Sequence, residues 1–130
     1  MTPEADRFLR KARKHLNRAN IMRGVNLHED AGRAAYLASF HAAQALIFEN
    51  IGKVLKTHKG VQSEFLRLTK DDSRLGSDFR VFLSQAYNLK AIADYEEGDD
   101  SLFFAERAAA ATETAARFVD CIAGLLEDSV

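Results

Sequence analysis

The chain has 130 residues, of which 47% are apolar and 28% are charged, and its formal net charge is −1 at pH 7. This length and composition predict one compact soluble domain over residues 1–130, and the charge argues against DNA binding through a strongly basic surface. No run of about 18 uncharged apolar residues occurs, so no membrane association is predicted. The single cysteine, Cys121, excludes a disulfide framework and a cysteine-rich metal site, and it favours a reducing cytoplasm.

The two ends of the chain carry opposite charge. Residues 1–23 contain seven Arg or Lys and two acids, giving +5, whereas residues 94–130 contain ten acids and two Arg, giving −8. Such a polarity can orient helices against each other or attract a charged partner. The simpler interpretation is that these charges only lie on solvated helix faces. The functional and the simpler interpretation both stay open.

Only helices are predicted, because no stretch alternates apolar and polar residues as a strand does. The first helix covers about residues 3–22, with Pro3 in its first turn, where the missing N–H costs nothing. Its apolar stripe consists of Phe8, Ala12, Leu16 and Ala19. The second helix covers about residues 29–50 and is apolar around most of its circumference, which is typical of a helix surrounded by others. Gly52 is placed to end it in a left-handed conformation.

A basic connection, GKVLKTHKG, is predicted at residues 52–60, followed by a short helix over about residues 61–68. After the polar loop KDDSRLG, a fourth helix begins near Ser77, and its apolar face is formed by Phe79, Phe82, Leu83, Ala86, Leu89 and Ala93. The alanine-rich fifth helix covers about residues 101–126. Its predicted buried seam is Leu102, Ala105, Ala109, Thr112, Ala116, Val119, Ala123 and Leu126.

These elements predict an all-α fold, an up-and-down bundle of four long helices plus one short helix. Because small side chains let helix axes approach closely, the fifth helix is expected to pack against the second helix or against a second copy of the chain.

The second helix carries an imidazole in its apolar middle. A stripe of about 100° on this helix contains Arg33, Tyr36, Leu37, Phe40 and Gln44. His41 lies just beyond the edge of that stripe. One interpretation makes His41 a core residue whose ring nitrogens bond to a backbone carbonyl or to a neighbouring side chain. The other places His41 in a ligand or RNA pocket.

Three blocks of residues resemble a known family. They are YLASFHAAQAL at residues 36–46, KTHKGV at 56–61 and ADY at 93–95. In order and spacing they resemble the HEPN domain family (higher eukaryotes and prokaryotes nucleotide-binding), over about residues 5–125. The resemblance implies an all-helical bundle that usually pairs as a dimer, with many members encoded beside a small nucleotidyltransferase in toxin–antitoxin pairs. Some members are metal-independent ribonucleases, and others bind nucleotides or a partner without catalysis.

The ribonuclease members of that family share an Arg followed after four to six residues by His, often with a Tyr two residues further on. If Tyr95 matches this tyrosine, Ala93 stands in place of the His and Asn88 in place of the Arg. The usual catalytic pair is therefore expected to be missing. Two other stretches, at residues 10–15 and 23–28, fit the bare spacing, but about one such match is expected by chance.

The residue types and the resemblance together predict a pocket where the second and fourth helices meet. Arginine and lysine suit phosphate oxygens, and tyrosine rings stack on bases. The candidate ligand-binding residues are Arg33, Tyr36, His41, Lys56, His58, Lys59, Lys90, Asp94 and Tyr95. Simpler interpretations stay open, in which the lysines of the connection are solvated and Arg33 forms a structural ion pair with Asp94.

The preferred interpretation is a homodimeric binding component of a toxin–antitoxin or nucleotidyltransferase-associated system. It would bind a nucleotide, RNA or the nucleotidyltransferase partner without a cofactor and without catalysis. The first alternative is a metal-independent ribonuclease with a displaced catalytic set, for which the candidates are His41, His58, Lys90 and Tyr95. The second is a purely structural dimer subunit with the fifth helix as its seam. No metal site is predicted, because no pair of carboxylates or histidines has ligand spacing on one helix face.

Overall fold

The computed structural model of the chain is built from α-helices. It describes residues 1–95 and 101–127, except for the side chains of Leu89 and of residues 91–95 and 101–103. The helices are α1 Pro3–Gly24, α2 His28–Ile51, α3 His58–Thr69, α4 Ser77–Tyr95 and α5 Ser101–Glu127. The predicted all-α bundle of four long helices and one short helix is confirmed. None of these helices, within the described residues, is both long and apolar enough to cross a membrane.

The central helix of the bundle is α2. It packs against α1, α3, α4 and α5, which explains why apolar residues surround it. Every alanine of α2 is buried, and these small side chains allow the neighbouring helices to approach closely. The expected packing of the fifth helix against the second is therefore observed within one chain.

Polar contacts at the helix ends set how α1 and α2 meet. The hydroxyl of Thr2 caps α1 by accepting the N–H of Ala5. The backbone N–H and the hydroxyl of Thr2 both donate to Glu49, near the end of α2, so the two helices run antiparallel. These hydrogen bonds from Thr2 hold the pKa of the Glu49 carboxyl below its usual value. Gly52 ends α2 as predicted, with φ +67°.

The short helix α3 begins three residues before its predicted start. The prediction of a basic connection up to residue 60 is wrong, because Thr57 is the N-cap and His58 is the first helical residue. The side-chain oxygen of Thr57 accepts the N–H of Gly60 at 3.0 Å, which satisfies one of the free amides of the first turn. This cap places His58 at the end of α3 nearest to α2 and α4.

The buried face of α5 differs from the predicted seam. Ala105, Ala109 and Ala116 are only half-buried, whereas Thr112, Val119, Ala123 and Leu126 are buried as predicted. The additional buried residues are Phe104, Ala108, Ala111, Ala115, Phe118, Ile122 and Leu125. Large side chains decide the rotation of the helix, because exposing a phenylalanine costs far more free energy than exposing an alanine.

The core face of α4 agrees with the sequence where it is described. Phe82, Leu83 and Ala86 are buried, and Phe79 packs against the core with part of its ring exposed. The predicted contributions of Leu89 and Ala93 lie outside the described side chains. Tyr87 follows the buried Leu83 by one turn, so it lies at the edge of this core face, and it belongs to the candidate site.

Candidate functional site

A continuous row of six aromatic and imidazole rings crosses one side of the bundle. Four helices contribute to it: α1, α2, α3 and α4. We call it the ring chain, and its members in spatial order are His15, His41, Phe40, Tyr36, His58 and Tyr87.

One end of the ring chain joins α2, α3 and α4. The ring of His58 stacks on that of Tyr87 with centroids 3.8 Å apart and an interplanar angle of 14°. The Nδ1 atom of His58 lies 3.1 Å from the hydroxyl oxygen of Tyr36. Tyr36 also meets Tyr87 edge to face, with centroids 5.5 Å apart. Each of these three side chains therefore contacts the other two.

The other end of the ring chain joins α1 to α2. Tyr36 and Phe40 are one turn apart on α2 with ring centroids 5.8 Å apart, and Phe40 is also 5.8 Å from His41. The ring of His41 stacks on that of His15 of α1, with centroids 5.2 Å apart and an interplanar angle of 24°.

Gln44 holds His41 in this position. Its Oε1 atom lies 2.7 Å from Nδ1 of His41, and its Nε2 donates to the backbone carbonyl of Leu55 at 2.8 Å. Gln44 is only 5% exposed, and both contacts are partly buried. His41 is thus held by a neighbouring side chain, as the first interpretation expects, and it also forms part of a partly exposed row of rings.

The protonation states of the ring chain follow from burial. Burial, with a smaller effect of Tyr87, raises the pKa of Tyr36 to about 12, so this hydroxyl keeps its proton and can donate to Nδ1 of His58. Burial also lowers the pKa of His58, although a hydrogen bond with Gln62 acts in the opposite direction. The pKa of His41 is lowered mainly by burial. These imidazoles are therefore mostly neutral near pH 7.

At the α4 end of the ring chain, a partly exposed ring is flanked by lysines in the sequence. Tyr87 is 37% exposed, whereas Tyr36 beneath it is 5% exposed. Lys90 follows Tyr87 by one turn of α4, and the exposed side chains of Lys56 and Lys59 flank Thr57 and His58 in the sequence. This combination of an accessible ring and nearby cations suits a planar anionic ligand.

The structure brings together three of the nine predicted site residues, Tyr36, His41 and His58, as members of the ring chain. Arg33, one turn before Tyr36, makes an ion pair with Asp30 at 2.9 Å. Asp94 and Tyr95 lie outside the described side chains, so their roles and the pairing of Arg33 with Asp94 stay predictions.

Three members of the ring chain were not among the predicted site residues: Phe40, which was placed only on the stripe of the second helix, and His15 and Tyr87. His15 lies between the apolar stripe of α1 and its basic face, a boundary position that typically is partly exposed. Tyr87 precedes the candidate Lys90 by three residues, which places both on one face of α4. For His15 the other signal was its place in the bare Arg-to-His spacing at residues 10–15, which chance also explains, and neither His15 nor Tyr87 belongs to the three blocks.

A separate groove of about 520 Å³ lies between α4 and α5. Its apolar lining residues are Phe82, Ala86, Ala110 and Ala111, and its charged ones are Asp78, Glu106 and Arg107. It shares no residue with the ring chain and lacks an imidazole or a phenol. Among the side chains that the structure describes, no three from His, Cys, Asp or Glu are grouped as metal ligands.

The comparisons with known proteins agree with this architecture. The family model of the HEPN domain matches residues 5–125, and the chain therefore belongs to the HEPN domain family. The chain is also 29% identical over 111 residues to the Methanocaldococcus jannaschii protein named "Putative toxin MJ0605". That alignment covers 79% of this chain and 81% of the relative. The resemblance of the three sequence blocks to this family is confirmed.

We expect acidification to destabilise the fold through the histidines of the ring chain. His15, His41 and His58 all have folded-state pKa values below 6.5, so below pH 6.5 the unfolded chain binds more protons than the folded chain. Their stabilising contribution is complete above pH 6.5 and is lost as the pH falls from there towards the folded pKa values. Thermal unfolding followed by circular dichroism should give a lower Tm at about pH 5.5 than at about pH 7.5.

The triple variant His15→Gln, His41→Gln, His58→Gln provides the comparison, and its Tm should depend less on pH over this range. Glu49, whose pKa is lowered, contributes only at more acidic pH. A Tm of the wild-type chain that is unchanged or higher at the lower pH would contradict this prediction.

Proposed function

We propose that this HEPN domain protein is a dimeric, cytoplasmic component of a toxin–antitoxin or nucleotidyltransferase-associated system, and that its ring chain binds nucleotides of RNA without cleaving them. The stack of His58 on Tyr87 is the observation that carries the proposal. A half-exposed tyrosine held in place by a second ring is a preformed surface for a base. The name of the Methanocaldococcus relative supports the assignment to a toxin-type system.

The cations around His58 and Tyr87 support a phosphorylated ligand. Lys56, Lys59 and Lys90 provide three ammonium groups in the segments next to the stack. An ammonium group pairs with a phosphate oxygen, while the ring of Tyr87 contacts the base. A single nucleotide unit offers both chemical groups at once.

Binding without cleavage is supported by what stands at the positions of the family's catalytic pair. Asn88 and Ala93 occupy the places of the Arg and His when Tyr95 is matched to the motif. The Nδ1 atom of His58 already faces the hydroxyl of Tyr36 at 3.1 Å, so this nitrogen is not available to take a proton from a ribose.

We expect Tyr87→Ala to weaken the binding of a mononucleotide such as UMP or AMP by about 5- to 150-fold, the range that corresponds to the loss of one base stack. Isothermal titration calorimetry measures the affinity directly. Because the chain contains no tryptophan, quenching of tyrosine fluorescence on nucleotide addition gives an independent signal.

Two further variants serve as controls for this experiment. Tyr87→Phe keeps the aromatic ring and should bind nearly as the wild type does. Val81→Ala changes another exposed side chain of α4, 47% exposed, and should leave binding unchanged. No heat or quenching with UMP, AMP and ATP, or equal affinity of wild type and Tyr87→Ala, would refute the assignment of the ring chain.

Dimer formation and the partner are tested separately. Light scattering at micromolar concentration should give twice the mass of the 14.5 kDa chain. Co-expression with the product of the neighbouring gene should yield a stable complex if that gene encodes a nucleotidyltransferase. If the chain were monomeric and eluted separately from the neighbouring gene product, this part of the proposal would be contradicted. A dimer without nucleotide or partner binding would instead favour a purely structural subunit.

A metal-independent ribonuclease is the second candidate function. The feature that favours it is the neutral imidazole of His58, whose Nδ1 would accept a proton if its contact with the Tyr36 hydroxyl opened in the complex with RNA. Lys90 would stabilise the phosphate in such a reaction. Cleavage of single-stranded RNA is assayed in EDTA for the wild type, His58→Ala and Lys90→Ala. Loss of cleavage in both variants would establish this function, and cleavage unchanged in both would remove it.

A further inference from the structure

Four cations form a straight line on the exposed face of α1. They follow one another at intervals of four, three and four residues, which places them on one side of the helix over about 16 Å. We call this line the α1 ridge, and its members are Arg7, Lys11, Lys14 and Arg18, all of them exposed.

The charges of the α1 ridge are not neutralised by acidic side chains in the described part of the chain. Two other cations of α1 are paired, Arg10 with Asp6 at 3.0 Å and Arg13 with Asp120 of α5 at 3.2 Å. No described ion pair includes a member of the ridge. The ammonium of Lys11 lies 5.8 Å from the centroid of the Phe8 ring, a contact that leaves its positive charge in place.

The ridge lies beside the ring chain. His15 follows Lys14 directly on α1, and its ring stacks on His41. Burial lowers the pKa of His15, and His41 when it is protonated, with the positive charges of Arg18, Lys14 and Lys11, lowers it further. The cations of the ridge therefore act electrostatically on the α1 end of the ring chain.

The surface of the ridge contains no apolar anchor. Between residues 7 and 18 the exposed side chains of α1 are Arg7, Arg10, Lys11, Arg13, Lys14, Asn17 and Arg18. A specific protein–protein interface needs a buried apolar or aromatic centre, and Lys is depleted from such centres. A row of cations without such a centre suits the regularly spaced phosphates of a nucleic acid strand.

We propose that the α1 ridge binds the phosphodiester backbone of single-stranded RNA whose bases reach the ring chain. The inference rests on the proposed function for its choice of RNA, and it adds a second, sequence-independent contact surface on a different helix. An RNA of several nucleotides would then bind across both surfaces, whereas a mononucleotide would contact only the ring chain.

The test compares two double variants with equal change in charge. Lys11→Gln, Lys14→Gln removes two cations of the ridge, and Lys53→Gln, Lys70→Gln removes two exposed lysines outside it, each taking the net charge from −1 to −3. Binding of a fluorescent 12-nucleotide uridine RNA is followed by anisotropy between about 50 and 200 mM KCl. Each lost phosphate contact should reduce the slope of log K against log[salt] by about 0.7.

The ridge variant is therefore expected to show a slope smaller by about 1.4, and a markedly lower affinity at low salt, than the wild type. The control variant should keep the wild-type slope. Equal slopes for the two variants would overturn the inference. Poly-glutamate that binds as tightly as the RNA, with the same dependence on Lys11 and Lys14, would also overturn it in favour of an acidic protein.

Mononucleotide binding separates this inference from the proposed function. The ridge variant should bind UMP as the wild type does, because a single nucleotide does not reach the ridge. The wild-type chain could fail to bind UMP and still bind RNA in a way that depends on the ridge. That result would refute the assignment of the ring chain and support the ridge. Loss of UMP binding in the ridge variant would count against two distinct surfaces.

Discussion

Replacing Phe118 by alanine is expected to lower the free energy of unfolding by about 3–5 kcal/mol, the range for a fully buried phenylalanine. Phe118 of α5 has no exposed surface. Its ring centroid lies 5.4 Å from that of Phe65 in α3 and 5.7 Å from that of Phe82 in α4. The substitution removes the contact at which these three helices meet and leaves a cavity that the surrounding rings only partly fill.

Urea denaturation followed by circular dichroism measures this loss. Phe118→Leu, which keeps most of the volume, should cost clearly less, and Val81→Ala at an exposed position of α4 should change stability by no more than about 0.5 kcal/mol. A loss below about 1 kcal/mol for Phe118→Ala would mean that Phe118 is not at the centre of the core.

The second large effect is expected from Ala115→Leu in α5. Ala115 has no exposed surface, and α5 packs against α2, whose alanines are all buried. Three additional carbon atoms at this position must push the helices apart or force strained rotamers, at a cost of about 1–3 kcal/mol. The substitution should lower both the urea midpoint and Tm.

The neighbouring residue provides a matched control, because Ala116 belongs to the same helix and has the same side chain but is half-buried. Ala116→Leu should change stability by about 0.5 kcal/mol or less. The predicted seam and the observed buried face of α5 lead to opposite expectations for these two substitutions. A larger loss for Ala116→Leu than for Ala115→Leu would restore the seam predicted from the sequence and contradict the observed rotation of α5.

The sequence was sufficient for the fold class, the approximate helix limits and the family. Apolar periodicity and the absence of strand-like alternation identified the helices, and Gly52 marked the end of α2 because its left-handed conformation is a local property. The three residue blocks identified the family, which the match over residues 5–125 confirms. One domain over residues 1–130, the dimer and the partner stay predictions.

The start of α3 and the rotation of α5 needed more than the sequence pattern. KTHKG resembles a solvated basic connection, and only the contact between Thr57 and Gly60 identifies it as a helix start. In α5, alanine occurs on several sides, so periodicity alone permits more than one buried face. The positions of Phe104 and Phe118 select one face because their rings fill the space against the other helices.

By itself, the sequence determined that this protein is a helical bundle and which helix is encased, since both follow from the local order of apolar and polar residues. Only the tertiary structure decided that His15, His41, Phe40, Tyr36, His58 and Tyr87 form one row, because these residues are contributed by four helices. Their proximity depends on how far each helix is rotated and shifted against α2, and that is set by packing over the whole core.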